Sequence, residues 1–227
     1  GHGSFGLVGP AGERILIDPW LSCPTLPAGL KDSLSGDVIL LTHGHVDHAS
    51  STVELAQRLS PQVLAPVELA GALGAAGVAN VVGFNKGGTV SACDVSFTMT
   101  QAIHTGSIDL GTGDGGYCEP AGYVITFSNG ARVYAAGDTA VHADMALVGE
   151  LYAPDVAILP IGDHYTMGPF QAAHACRLLN IPAIVPGHWG TFPLLTGTPA
   201  ALRDELAKLG LSDRVTVHDL EPGGTLA

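Results

Sequence analysis

The stretch DVILLTHGHVDH, Asp37 to His48, constrains this chain more than any other. Its first half is a continuous apolar run, the pattern of a central strand buried on both faces. Its second half, HGHVDH, crowds His43, His45, Asp47 and His48 into six positions. The S-x-x-E pattern from Ser51 to Glu54 then predicts a capped helix. A loop between a strand's C-terminal end and a helix start is where open α/β sheets place their sites. The competing reading, a hydrogen-bonded polar loop, leaves four metal-ligating side chains crowded together without a reason.

The rest of the chain supports an α/β reading. RILIDP, from Arg14 to Pro19, reads as a short buried strand ending in a turn. Further strands are expected over residues 95–103, 122–127 and 132–136, with a hairpin turn at Ser128 to Gly130. Helices are expected over 66–73, 141–151, 171–179 and 199–209. The last has Thr198 as cap, Pro199 at its first position and Gly210 past its end. Arg14 and Asp37 are 23 positions apart, as are Arg132 and Asp155, and on that offset DVILLTHG aligns with DVAILPIG. Two similar strand-rich halves packed face to face would produce such an echo, and so would chance. No linker or low-complexity tract divides the chain, so one domain over 1–227 is expected.

Composition narrows the function. A net charge of -12 disfavours nucleic acid and anionic membranes, whose phosphates are bound by Lys and Arg. It does not exclude an anionic substrate, because a bound metal inverts the local field. The four cysteines form no C-x-x-C pair, which fits a reducing cytoplasm better than a disulfide framework. No apolar run approaches the roughly 18 residues that span a bilayer, and no signal peptide is visible. The chain starts at GHGSF without Met, so either a short piece precedes it or Gly1 and His2 are tag residues.

Imidazole and carboxylate donors suit zinc, manganese or iron. Further donors stand where predicted strands give way to Gly-containing loops: His104 in QAIHTGS, Asp138 in YAAGDTA and His188 in VPGHWGTF. HxHxDH, a later lone His, GD at a strand end and GHWGTFP together resemble the metallo-β-lactamase superfamily. GHGSF, IDPWL, PAGYVI and PIGDHYTMGP are similar to signatures of its metal-dependent hydrolase branch related to the ascorbate-6-phosphate lactonases. The resemblance covers nearly the whole chain. Its one visible departure is the missing first strand before GHGSF.

The resemblance implies a four-layered αβ/βα sandwich with a two-metal site at one edge. It implies His43, His45 and His104 on the first metal, Asp47, His48 and His188 on the second, and Asp138 as the bridge. Two divalent ions, zinc first with manganese or iron as alternatives, would share a bridging hydroxide and polarise the bond it attacks. Asp47 and Asp138 are then the catalytic carboxylates. The expected reaction is hydrolysis of an ester, lactone, amide or phosphoester in a small molecule. His164 and Tyr165 in GDHYTMG, with Trp189 and Phe192 flanking His188, are expected to contact the substrate. Two other readings compete: a phosphodiesterase or nuclease, and a metal-holding module whose catalysis has lapsed. Oligomeric state is left open, a homo-oligomer included.

Overall fold

The computed structural model describes residues 2–111 and 113–226. The N-terminal half runs β1 (Phe5–Val8), β2 (Arg14–Ile17), α1 (Leu30–Ser33), β3 (Val38–Leu40) and α2 (Val46–Ala49). It continues with α3 (Thr52–Leu59), β4 (Gln62–Pro66), α4 (Val67–Ala75) and β5 (Val81–Phe84). Then come β6 (Thr89–Ala92), β7 (Val95–Gln101), β8 (Ser107–Asp109), β9 (Asp114–Tyr117), β10 (Ala121–Thr126) and β11 (Arg132–Ala135). The chain closes with α5 (Met145–Tyr152), β12 (Val156–Pro160), α6 (Pro169–Leu179), β13 (Ala183–Gly187), α7 (Pro199–Lys208) and β14 (Thr216–Val217). One sheet has the order β1-β2-β3-β4-β5 and the other β14-β13-β12-β11-β10-β7-β6, with β8 and β9 a separate ribbon.

Successive side chains of a strand point to opposite faces, and here both faces are apolar. Ile15, Ile17, Val38 and Leu40 pack inward against Phe97, Tyr123, Ile125 and Ile158 of the other sheet. Their neighbours Leu16, Ile39 and Leu41 pack outward with Leu55 of α3 and with Leu69 and Leu73 of α4. On the second sheet Val124, Tyr134, Ala157 and Leu159 face Met145 of α5, Ala172 of α6 and Leu202 of α7. Each such buried aliphatic side chain contributes roughly 1.5–3 kcal/mol. The layers therefore run helix, sheet, sheet, helix, the αβ/βα sandwich expected. Buried Tyr123 crosses between the sheets, its hydroxyl donating to the Leu41 carbonyl at 2.7 Å.

The internal echo is structural. β2 pairs parallel with β3, setting Ile15 opposite Val38, and β11 pairs parallel with β12, setting Val133 opposite Val156. In both halves the Arg backbone N–H donates to the Asp side chain, Arg14 to Asp37 at 2.9 Å and Arg132 to Asp155 at 2.8 Å. The guanidinium groups differ. That of Arg14 binds Asp37, whereas that of Arg132 donates to the Tyr152 carbonyl.

Strand direction gathers the donors. β2 to β5 are parallel, so Asp18 and His43 leave the first sheet at one edge. β7 and β11 are both antiparallel to β10, and β12 and β13 continue parallel to β11. His104, Asp138, His164 and His188 therefore all follow strands that end at one edge of the second sheet. β1 is antiparallel to β2, so its N-terminal end brings His2 back to the same side.

Two local expectations differ from what forms. Ser51 precedes α3 but makes no side-chain cap; its hydroxyl accepts the Leu21 N–H at 2.9 Å instead. That bond ties the segment after β2 to the ligand loop. α5 begins at Met145 rather than near residue 141. Ala140 N–H is still bonded to the Ile103 carbonyl at 3.0 Å, which holds the chain against the end of β7. Thr198 does cap α7, accepting the Ala201 N–H at 3.1 Å.

Candidate metal centre

HGHVDH works as a ligand loop because a single helical turn divides it. His45 is the residue before α2, and its carbonyl accepts the N–H groups of His48 and Ala49, both at 2.9 Å. His43 and His45 are thereby sent to one side and Asp47 and His48 to another. Gly137, at φ 64, is required just before Asp138: a Cβ there would meet Thr42 Cβ at 2.8 Å and the Ala121 carbonyl at 2.9 Å. Only glycine lets the two ligand-bearing strand ends approach so closely.

Among the described residues two groups of donors have ligand atoms lying within 4.8 Å of one another, His43, His45 and His104, and His2, Asp47, His48 and His188, and a third set, Asp18, His43 and His48, draws one member from each. Asp138 lies between. Its Oδ2 is 3.0 Å from His188 Nε2, 3.4 Å from His48 Nε2 and 3.7 Å from His104 Nε2. Asp47 Oδ2 is 3.7 Å from His48 Nε2 and 4.0 Å from His188 Nε2.

Buried Asp18, at the end of β2, sets the tautomers. A carboxylate only accepts, so Thr42 Oγ1 donates to Asp18 Oδ2 at 2.6 Å and His48 Nδ1 donates to the same oxygen at 2.9 Å. Thr42 Oγ1, its proton committed, accepts from His43 Nδ1 at 2.9 Å. Both imidazoles are left presenting Nε2. For His45 the geometry is reversed: Nδ1 lies 3.0 Å from His43 Nε2, while Nε2 lies 3.4 Å from Thr105 Oγ1. His2 donates from Nε2 to Asp47 Oδ2 at 2.8 Å, with its Nδ1 3.0 Å from Thr191 Oγ1. The His2 carbonyl accepts the His188 N–H at 2.9 Å.

Charge and burial oppose each other here. Burial drives His43 well below the ordinary imidazole range, and it lowers His45, His104 and His2 as well. Burial would do the same to His48, but Asp138 and Asp18 outweigh it and raise its pKa well above the usual value. Burial would raise Asp138, but His48 and His188 hold it well below the carboxylate range. Asp47 is likewise lowered, the bond from His2 and the charge of His48 overcoming its burial. His48 Nε2 is buried without a hydrogen-bond partner, facing the carboxylates of Asp47 and Asp138. A buried ring nitrogen without a hydrogen-bond partner, set among carboxylates, fits a cation.

All seven sequence-selected donors thus meet at one place. The four substrate candidates do not share one environment. The Phe192 ring is 5.6 Å from that of His2 and 6.1 Å from that of Trp20, beside the second group. Trp189 packs against the helical core, its Nε1 donating to the Pro186 carbonyl at 3.3 Å. His164 and Tyr165 stack edge to face on an exposed loop after β12, their centroids 4.5 Å apart. That loop is tied to the site through Met167 N–H, which donates to the Thr139 carbonyl. Sequence reasoning missed Asp18 and left His2 without an assigned contact. The signal for Asp18 was a lone carboxylate closing a buried strand, and that for His2 was the GHGSF motif.

Comparison with known proteins identifies the family. The β-lactamase superfamily domain matches residues 13–189. A UPF0173 metal-dependent hydrolase of Herpetosiphon aurantiacus is 47% identical over 98% of this chain and 93% of its own length. One from Rubrobacter xylanophilus is 45% identical over 100% of this chain and 93% of its own. The structure of Igni18, a metallo hydrolase from Ignicoccus hospitalis, superposes with a TM-score of 0.86 at 35% identity, covering 100% of this chain and 94% of that one. The chain belongs to the β-lactamase superfamily domain family, and within it to the UPF0173 metal-dependent hydrolases.

Proposed function

We propose that His43, His45 and His104 hold one divalent cation, that Asp47, His48 and His188 hold a second, and that Asp138 bridges them. Zinc comes first, with manganese and iron as the other ions such N and O donors suit. The observation behind this reading is the place of Asp138 Oδ2, within 3.7 Å of a ring nitrogen from each group. When bound, two cations supply a hydroxide at neutral pH and a Lewis acid for the bond to be cut. The chain's part is to bind and to orient. Asp18 fixes the tautomers of His43 and His48, and His2 fixes the carboxylate of Asp47. The reaction is hydrolysis of an ester, lactone, amide or phosphoester in a small molecule. The whole chain acts as one domain, because α7 and β14 complete the second sheet and its outer layer.

The test counts metal and activity together. Protein purified without chelator should carry clearly more than one equivalent. Asp47→Ala and Asp138→Ala should each lower hydrolysis by at least roughly 100-fold while circular dichroism stays that of the wild type. One equivalent or fewer at saturation, or near-wild-type turnover in either variant, refutes the dinuclear reading.

A further inference from the structure

The chain carries nine Lys and Arg residues, and each is already partnered. Arg14 and Arg132 start β2 and β11, at the strand ends away from the donors, where they bind Asp37 and the Tyr152 carbonyl. Six more are bonded on or beside α1, α3, α6 and α7. Lys86, just past the end of β5, is the only one near the donor edge. It is neutralised there by Glu119 at 2.8 Å and also bonded to Gln101. A charged group on the body of a substrate would therefore meet no free cation, and it would approach a protein of net charge -12.

Exposed apolar side chains flank the donors, beside the hydroxyls of Thr105 and Thr191. Val46, between His45 and Asp47, is 46% exposed, and Ile103, immediately before His104, is 51% exposed. Phe192 stands exposed beside His2, and Tyr165 and Leu194 are exposed on the loops that follow β12 and β13. Apolar side chains exposed beside a site offer an apolar ligand a surface to rest on. The cavity behind the donors, lined by Asp18, His48, Asp138 and His188, measures about 20 Å³ and holds at most a water molecule. A substrate thus sits on the open side, against this rim.

We propose that the site takes substrates whose body is uncharged and apolar, resting on Val46, Ile103 and Phe192 next to the reacting bond. The proposal rests on the metal centre described under Proposed function. A bound cation pair can hold an anion at the reacting atoms, but no unpaired lysine or arginine on the rim compensates a second charge. Molecules bearing a phosphate or carboxylate away from the scissile bond are rejected, which excludes nucleic acid and sugar phosphates as substrates.

Two hydroxamates with the same metal-binding head group test this, hexanohydroxamic acid and the monohydroxamate of adipic acid, titrated calorimetrically into the metal-loaded protein. Their tails are matched in length and differ by a terminal carboxylate, so the contribution of the metal cancels. The alkyl compound should bind roughly tenfold more tightly. Phe192→Ala and, as an independent variant, Ile103→Ser should narrow that ratio to about threefold or less, with metal content unchanged. Lys86→Gln should leave the ratio as it is. Equal or tighter binding of the carboxylate compound overturns the proposal, as does its selective weakening in Lys86→Gln. If neither compound distinguishes metal-loaded from metal-free protein, the metal centre falls and this inference falls with it. Binding of both with the alkyl preference but without turnover of any ester would refute hydrolysis alone.

Discussion

His2 Nε2 lies 2.8 Å from Asp47 Oδ2, and the carbonyl of the same residue accepts the N–H of His188 at 2.9 Å. One N-terminal residue thus positions two members of the second donor group. Its own backbone is at φ 58, a left-handed conformation that the surrounding contacts must hold. His2→Ala should weaken binding of one metal equivalent by roughly 10–100-fold and leave the other near wild type. His2→Gln, which keeps an N–H donor, should recover part of that loss. Chelator competition resolves the two equivalents, and two unaltered affinities in His2→Ala would refute the positioning role.

Most of the donor set was legible because ligands at strand ends leave a mark: an apolar run, then a donor with a glycine beside it. DVILLTH, YAAGD and VPGH all have that form. Asp18 has half of it, a buried strand followed by a carboxylate, but its job depends on a hydroxyl 24 residues away, Thr42. No local pattern encodes such a contact. Ser51 shows the opposite failure: a correct local pattern for a cap, overridden because Leu21 N–H reached the hydroxyl first. Trp189 and Phe192 are three residues apart, yet one enters the helical core and the other lies beside His2. Loop geometry decides between those two outcomes, and composition says nothing about it.

Asp18→Asn removes the acceptor on which both tautomers depend. The oxygen that takes protons from Thr42 and His48 would become, in one amide orientation, a donor facing two donors; in the other, Thr42 N–H loses its acceptor. Metal affinity should fall by roughly 10–100-fold in both groups, because His43 and His48 belong to different ones. Metal analysis after dialysis, beside circular dichroism to verify the fold, distinguishes this from unfolding. Full retention of both equivalents would show that the tautomers are set by something other than Asp18.

Tyr123→Phe isolates the bond between the sheets. The Leu41 carbonyl, two residues before His43, would lose the hydroxyl it now accepts from. A buried carbonyl left without a partner costs about 1–3 kcal/mol, so Tm of the metal-free protein should fall by roughly 2–10 °C. Metal should restore part of the difference, since binding to the native state alone adds stability. Differential scanning calorimetry with and without metal measures both. An unchanged Tm would mean that the sheets are registered by packing alone.

The last prediction concerns pH, and its sign follows from His48. Before a cation binds, Asp18 and Asp138 hold the His48 pKa well above 6.5 against the effect of burial. That shift favours the protonated ring, and with Nδ1 bonded to Asp18 the proton that a cation must displace is the one on Nε2. His43, His45 and His104 are lowered by burial, and Asp47 and Asp138 are lowered by their histidine neighbours, so in these groups the proton-free form is favoured. Metal binding near neutrality should accordingly release at least about one proton per chain. Affinity should rise with pH from 6 upward, until the metal-free pKa of His48 is passed. Calorimetric titration of zinc in two buffers of different ionisation enthalpy counts the proton directly. A heat independent of buffer, together with an affinity flat between pH 6 and 7.5, would mean that Nε2 of His48 is already bare and that Asp18 and Asp138 do not hold a proton there.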